Sequence, residues 1–115
     1  MTIQDTVARI CAIPVAFRKD PDTTIRSLLE ASGYERSRDA VTADALQGYL
    51  SAHPELVEAW LAYSEAKKVE SGWYLEGLVV GYYEPGKGMG RKQRYPEAAQ
   101  ACAEFVKKEI DALLG

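Results

Sequence analysis

A chain of 115 residues can bury one hydrophobic core and is too short for two domains, so we expect a single domain over residues 1–115. With 47% apolar and 27% charged residues, the composition is ordinary for a globular protein and argues against disorder along most of the length. No stretch approaches the roughly 20 apolar residues of a membrane span, and the first residues lack the pattern of a secretory signal, so we expect a cytoplasmic protein.

The positive charges are unevenly distributed. The chain has a net charge of −3, yet the four cations Lys87, Arg91, Lys92 and Arg94 fall within eight residues that contain no acid. Setting these four positive charges aside leaves a net charge of −7 for the rest of the chain. A nucleic-acid-binding domain with a broad cationic face is usually basic overall, so this pattern indicates a mildly acidic protein with one basic segment.

Apolar residues recur at helical spacing in the first third of the chain. Thr2 and Asp5 form a capping-box pattern that begins an amphipathic helix, and we expect Pro14 to stop it. A second helix is predicted to begin near Pro21 and to end before Gly33, which suits a left-handed position after a helix.

Two more helices are predicted before residue 70. Thr42 is a suitable N-cap for the third helix, while His53 and Pro54 interrupt the pattern and place proline in the first turn of the fourth. Lys67 and Lys68 are expected in the last turn of the fourth helix, where cations interact favourably with exposed carbonyl groups.

Aromatic and β-branched residues then predict an antiparallel hairpin. Residues 73–75 and 78–83 favour strands, with Glu76 and Gly77 as a two-residue turn. Gly81 is expected to mark a bulge or the close approach of another backbone.

A basic, glycine-rich loop is predicted over residues 86–94, although residues 91–95 could instead add a third strand. Pro96 and Glu97 then begin the last helix, whose broad apolar stripe we expect to pack on the sheet. The predicted fold class is therefore α+β: about five helices, with a two- or three-stranded antiparallel hairpin or meander covered by the C-terminal helix.

The hairpin and its basic segment supply the candidate binding residues. Because side chains on a strand alternate between faces, neighbouring aromatics cannot share a face, so we expect one set to pack beneath the last helix and the other to be exposed. The glycines and cations invite a phosphate-binding interpretation, but the spacing fits neither a P-loop nor a dinucleotide fingerprint. The predicted partner-binding residues are Tyr82, Tyr83, Lys87, Arg91, Lys92 and Arg94.

Catalytic and metal chemistry is not indicated. Cys11 and Cys102 lie in apolar helical stretches, which predicts buried thiols, although a disulfide between them is an alternative. His53 is the only histidine, and its position before Pro54 favours a role at a helix junction. We therefore expect a protein that is not an enzyme and that uses no cofactor and no metal.

Four segments carry a resemblance to a known class of proteins: WLAYSEAKK at 60–68, SGWY at 71–74, VVGY at 79–82 and AQACAEF at 99–105. In these segments the chain resembles small bacterial immunity-type proteins encoded beside polymorphic or contact-dependent toxins. The resemblance covers roughly residues 56–110 and contains no catalytic motif. It implies a cytoplasmic, antitoxin-like protein that binds a cognate toxin and covers its active site or an adjacent surface.

One departure from that class concerns charge. Inhibitors of nuclease toxins tend to be strongly acidic, whereas the densest charge patch of this chain is positive and indicates an acidic partner. The first hypothesis is thus a protein-binding domain, with an immunity protein as its more specific form. One alternative is binding of single-stranded nucleic acid or another polyanion through the basic segment, and another is a structural or homo-oligomeric module.

Overall fold

Six helices precede a three-stranded antiparallel sheet and a long helix follows it in the computed structural model, which describes residues 2–67 and 70–115. The predicted α+β class is confirmed. The helices are α1 (Ile3–Cys11), α2 (Ile13–Lys19), α3 (Ile25–Ala31), α4 (Tyr34–Ser37), α5 (Ala43–Ala52), α6 (Pro54–Ala66) and α7 (Ala98–Leu114); the strands are β1 (Gly72–Glu76), β2 (Val79–Glu84) and β3 (Gly88–Arg94).

The first helix begins as predicted but is followed by one that was not predicted. The Thr2 hydroxyl accepts the Asp5 N–H at 3.1 Å, and the Asp5 carboxylate accepts the Thr2 N–H at 3.2 Å. This backbone hydrogen bond lowers the pKa of Asp5. Pro14 does not end the helical region, because it lies in the first turn of α2, where its missing N–H has no intrahelical role.

The next two helices also depart from the prediction. Thr24, rather than the segment around Pro21, caps α3, and its hydroxyl accepts the Ser27 N–H at 3.0 Å. Gly33 takes the expected left-handed conformation with φ of 84°, and the short helix α4 follows it at once. The estimate of about five helices was too low because α2 and α4 are single short helices next to breakers.

Helices α5 and α6 match the prediction closely. The Thr42 hydroxyl caps α5 by accepting the Ala45 N–H at 3.1 Å, and Pro54 is the first residue of α6. Trp60 on α6 is fully buried, and its indole N–H donates to the Cys11 carbonyl oxygen at 3.0 Å, which fastens α6 to the end of α1. Lys67 caps the C-terminus of α6, and Lys68 lies outside the described residues.

The sheet is a meander with strand order β1-β2-β3. Its first turn is Gly77–Leu78, one residue later than predicted, so that Glu76 pairs with Val79. Gly77 has φ of 58° and Leu78 has a negative φ, the pattern of a type II′ turn with glycine in the first central position. The third strand is present and begins at Gly88, earlier than the predicted 91.

Helix α7 packs against the sheet as predicted, and also against α5 and α6. Its residues Phe105, Val106 and Ile110 are fully buried and join Leu75 and Val80 of the sheet in the core. At its far end, Lys107 and Asp111 both contact the hydroxyl of buried Tyr34, which ties α4 to α7. Among the described residues, no helix is both long enough and apolar enough to cross a lipid bilayer.

Candidate functional site

The six predicted binding residues all lie on the β2–β3 hairpin. Tyr82 and Tyr83 belong to β2, Lys87 lies in the turn, and the other three cations belong to β3. Residues 86–94 are therefore not a loop: Pro85 and Gly86, with φ of 87° at the glycine, occupy the positions typical of a type II turn, and regular pairing resumes at Gly88. Glycines lowered the predicted strand propensity of this segment, but their backbone groups still pair with β2.

A β-bulge in β3 determines where its cations lie relative to β2. Val80 pairs with Gln93 and Tyr82 pairs with Gly90, so two residues of β3, Arg91 and Lys92, oppose the single residue Gly81. Arg91 has φ of 51° and is the one described residue other than glycine with a positive φ. The predicted bulge at Gly81 is confirmed, with the extra residue on the neighbouring strand.

Gly81 is required by close packing as well as by the bulge. A Cβ atom on this residue would lie 2.5 Å from Met89 Sδ, 2.6 Å from Met89 Cγ and 3.0 Å from the Gly90 carbonyl oxygen. The side chain of Met89 therefore occupies the space above Gly81 and holds β3 against β2 at this point. This contact fixes where the bulge, and with it Arg91, sits relative to the aromatic residues of β2.

Tyr82 lies between a tryptophan and an arginine. Its ring meets Trp73 edge to face, with ring centroids 5.2 Å apart and planes at 85°, and the Arg91 guanidinium lies 5.2 Å from its centroid. On the other side, the Lys108 ammonium of α7 lies 5.4 Å from the Trp73 centroid. Two cations and two rings thus form one aromatic–cation stack, consisting of Lys108, Trp73, Tyr82 and Arg91.

Tyr83 lies on the opposite face of the sheet, beside Tyr74 at a centroid distance of 5.4 Å. Tyr74 is fully buried, because its hydroxyl contacts the backbone carbonyls of Lys67 and Glu70 and its ring faces the Lys67 ammonium at 4.8 Å. Burial raises the pKa of the Tyr74 hydroxyl. The expectation that one aromatic set would be exposed was wrong, since the end of α6 covers this second face in part.

Strand β3 is the basic outer edge of the sheet. All of its residues except Met89 are exposed, including Arg91, Lys92 and Arg94. Among the described residues, neither Lys92 nor Arg94 forms an ion pair, while Lys87 pairs with Glu84 at 3.8 Å across the exposed turn. We call Arg91, Lys92 and Arg94, together with Tyr82, the β3 surface.

A buried charge pair beside this surface was missed in the sequence. Glu109 of α7 is only 4% exposed and accepts hydrogen bonds from the Tyr63 hydroxyl and from Lys67 Nζ, the latter at 2.9 and 2.8 Å. Burial, followed by the charge of Glu109, raises the pKa of Tyr63. Lys67 thus pairs with a distant carboxylate, and a signal existed: Glu109 interrupts the apolar stripe of the last helix.

This pair lies at the base of a cleft next to the aromatic–cation stack. The cleft has a volume of about 360 Å³ and is lined by Trp73 and Tyr82 on one side and by Lys67, Glu109 and Leu113 on another. The Lys67 ammonium in this cleft is satisfied by Glu109 and by the rings of neighbouring tyrosines. Glu70 and Ser71 also line the cleft, so its wall combines polar groups with aromatic edges.

The residues considered for catalysis have structural surroundings: the two cysteines lie in the core and His53 lies at a helix junction. Cys11 and Cys102 are buried free thiols; burial raises the pKa of Cys11 to about 12 and also raises that of Cys102, so neither is a thiolate near neutral pH. His53 stacks on Tyr49 at 4.0 Å, and its Nδ1 lies 2.9 Å from the Tyr49 carbonyl oxygen, as suits a helix junction. Within residues 2–67 and 70–115, no group of three potential ligands could hold a metal ion.

Comparison with known proteins leaves the function to be argued from this geometry. No protein-family model matches the chain, no curated protein matches it, and no solved structure matches it. The β3 surface, the aromatic–cation stack behind it and the adjoining cleft are therefore the features on which a functional conclusion depends.

Proposed function

We propose that this chain is a small cytoplasmic protein-binding domain that uses the β3 surface to bind an acidic partner, and that it acts as an immunity-type protein by covering a surface of a toxin. The observation that carries the proposal is a run of three exposed cations on an edge strand, of which Arg91 lies over the ring of Tyr82 beside Trp73. Tyrosine, tryptophan and arginine are the residues that contribute most to protein interfaces, especially where packing fixes their rotamers.

The partner's charge follows from the local field. The rest of the chain has a net charge of −7 once the four cations at 87–94 are set aside, and these four cations are the densest run of positive charge in the sequence. A field of this kind steers an acidic surface towards β3 and away from the rest of the molecule. The interaction should therefore weaken as salt is added.

The aromatic geometry disfavours the nucleic-acid alternative. A single-stranded platform needs rings whose faces are free to stack on bases. The ring of Tyr82 already meets Trp73 and Arg91, and Tyr83 lies on the other face of the sheet. A base could stack on Tyr82 only by displacing Arg91, the cation that would otherwise contact a phosphate.

The homo-oligomeric alternative is disfavoured at the same surface. Pairing β3 with β3 of a second copy would bring Arg91, Lys92 and Arg94 close to their own equivalents. Like charges across paired strands destabilise a sheet.

Charge reversal tests the proposal. The chain carrying R91E, K92E and R94E is used beside the wild-type protein to capture partners from the source cell, with recovered proteins compared by mass spectrometry. We expect the variant to lose a partner that the wild-type chain retains. Recovery of every partner by both proteins would show that the β3 surface is not the binding site.

A control variant distinguishes an effect of the β3 surface from an effect of net charge alone. R18E, K19E and R36E make the same change in net charge at exposed positions on α2 and α4, away from β3. This control should capture the same partner as the wild-type chain.

The immunity role also predicts a property of the captured protein, namely that it is toxic. Expressed alone, it should arrest growth of the host cell, and co-expression of the wild-type chain should restore growth. A captured protein that is harmless by itself would contradict the immunity role while leaving protein binding in place. If the wild-type chain instead shifts single-stranded RNA or DNA at about 50 mM salt, with a log–log salt slope near −3, the nucleic-acid alternative is correct.

A further inference from the structure

The outer edge of β3 is open for strand pairing. On one side β3 pairs with β2 from Gly88 to Arg94, and it packs extensively against no other described element. Six of its seven residues are exposed. A strand at the edge of a sheet leaves alternate backbone N–H and C=O groups without partners in the sheet, which is a template for another extended chain.

The charges on this edge determine what can pair with it. Lys and Arg on an edge strand ordinarily prevent sheets from joining edge to edge, because an uncharged or basic strand would leave them desolvated or facing like charges. An acidic strand would instead form ion pairs with the same cations, so these residues select an acidic partner strand. Residues two apart on a strand share a face, so Lys92 and Arg94 would both meet acids that alternate along the incoming chain.

The bulge limits the length of the segment that can add. Arg91, with its positive φ, interrupts the regular ladder near the middle of β3 and increases the local twist. Regular pairing is therefore available mainly along residues 92–94, with a second short stretch at 88–90. Arg91 itself remains over Tyr82, at the margin of the edge, where it can contact a flanking acid.

We propose that the partner supplies an extended, acidic segment that adds to the outer edge of β3 as a fourth strand; this proposal rests on the proposed function and specifies how the partner is bound. Main-chain hydrogen bonds to β3 would provide affinity, and alternating acids opposite Lys92 and Arg94 would provide specificity. Binding through side chains alone would need no particular backbone conformation in the partner, and this difference can be measured.

Two synthetic peptides of equal length and charge distinguish these modes. One alternates glutamate and threonine, and the other has the same sequence with every backbone nitrogen methylated. The N-methylated peptide has no backbone N–H in either register, so it carries the same charge but cannot complete a strand ladder. Each is titrated into the ¹⁵N-labelled protein, and hydrogen exchange is followed at the amides of residues 88–94.

We expect the glutamate–threonine peptide to bind and to slow exchange of the outward-facing amides of β3. At a free peptide concentration ten times its Kd, exchange should be about tenfold slower, because it then proceeds from the roughly one-eleventh of molecules that are free. The N-methylated peptide should give no such protection. The protein carrying R91E, K92E and R94E should protect β3 with neither peptide.

Three outcomes overturn strand addition: equal affinity for the two peptides, protection confined to other parts of the molecule, or no binding of the glutamate–threonine peptide. None of them overturns the proposed function, which fails only if capture of a partner is indifferent to charge reversal on β3. A partner that depends on the β3 cations but leaves β3 amide exchange unchanged would show side-chain recognition without an added strand.

Discussion

Replacing Glu109 with glutamine tests whether the buried charge pair holds α7 against the end of α6. Glu109 accepts three hydrogen bonds, two of them from the Lys67 ammonium, in a position that is 4% exposed. Glutamine keeps the size of the side chain and removes its charge, so the ammonium is left among the rings of Tyr63, Tyr74 and Phe105.

The expected cost follows from the exposure of the two partners. Removing one member of a buried ion pair typically costs about 3–5 kcal/mol, because the other charge remains without compensation. The Lys67 side chain is 21% exposed and retains contact with water and aromatic rings, which lowers the expected cost for E109Q to about 2–3 kcal/mol. K67M should cost about 3 kcal/mol, since it leaves the 6%-exposed Glu109 carboxylate with Tyr63 alone.

Urea unfolding at pH 7, followed by tryptophan fluorescence, measures these differences. With a urea dependence of about 1–3 kcal/mol per molar, E109Q should lower the midpoint by about 1–2 M. The double variant K67M/E109Q should lose about 2 kcal/mol less than the sum of the single variants, because it removes both charges. E104Q on the same helix is the control, and it should change stability by no more than about 0.5 kcal/mol. Additive costs for Lys67 and Glu109, or an E109Q variant as stable as E104Q, would refute the reasoning.

Three further predictions concern the bulge and the core. Because Arg91 has a positive φ, R91G should be more stable than R91A by about 1 kcal/mol in urea unfolding. G81A should cost about 1–2 kcal/mol, since its Cβ would lie 2.5 Å from Met89 Sδ, and M89A in the same chain should recover part of that loss in thermal unfolding. Burial raises the pKa of Cys11 from 9.0 to about 12 and also raises the pKa of Cys102. The free energy of unfolding should therefore keep its full value below pH 9. As pH rises from 9 towards 12 it should fall by up to about 1.4 kcal/mol per pH unit for each thiol, because only the unfolded chain releases these protons.

Each of these has an outcome that contradicts it. Equal stability of R91G and R91A would mean that the backbone at residue 91 is not left-handed in solution. If M89A recovers nothing in the G81A background, the side chain of Met89 is not the obstacle. For the thiols, C11A/C102A should show a shallower fall in stability between pH 9 and 11 than the wild-type chain, and an unchanged slope would exclude them as the cause.

Local signals in the sequence located most of the helices. Thr2, Thr42 and Pro54 each satisfy or tolerate the unpaired backbone groups at a helix start, and the requirement acts within three or four residues. The prediction at Pro14 was wrong because proline is excluded from a helix interior but accepted in a first turn. The sequence alone does not say whether a given proline ends one helix or begins the next. The hairpin turn was displaced by one residue because Gly77 fits either central position of a primed turn.

The geometry of the candidate site could not be predicted from the sequence. The cations of 87–94 are evident in the sequence, whereas their strand conformation depends on pairing with the aromatic residues of β2, which lie outside the segment itself. Contact between Glu109 and Lys67 joins residues far apart in the chain, and no local pattern specifies it. Coverage of Tyr74 by the end of α6 likewise depends on how the helix enters the sheet, which alternation along a strand does not determine.

Helix α7 has a consequence for how the protein is made. It packs against α5, α6 and two strands of the sheet, and it supplies Phe105, Val106 and Ile110 to the core. A ribosome synthesises it after every other described element, so the apolar faces that it covers stay open to solvent until residue 110 has emerged. We infer that the core is not complete before α7 has been synthesised, and that during this interval the strands and helices that α7 covers are candidates for chaperone binding.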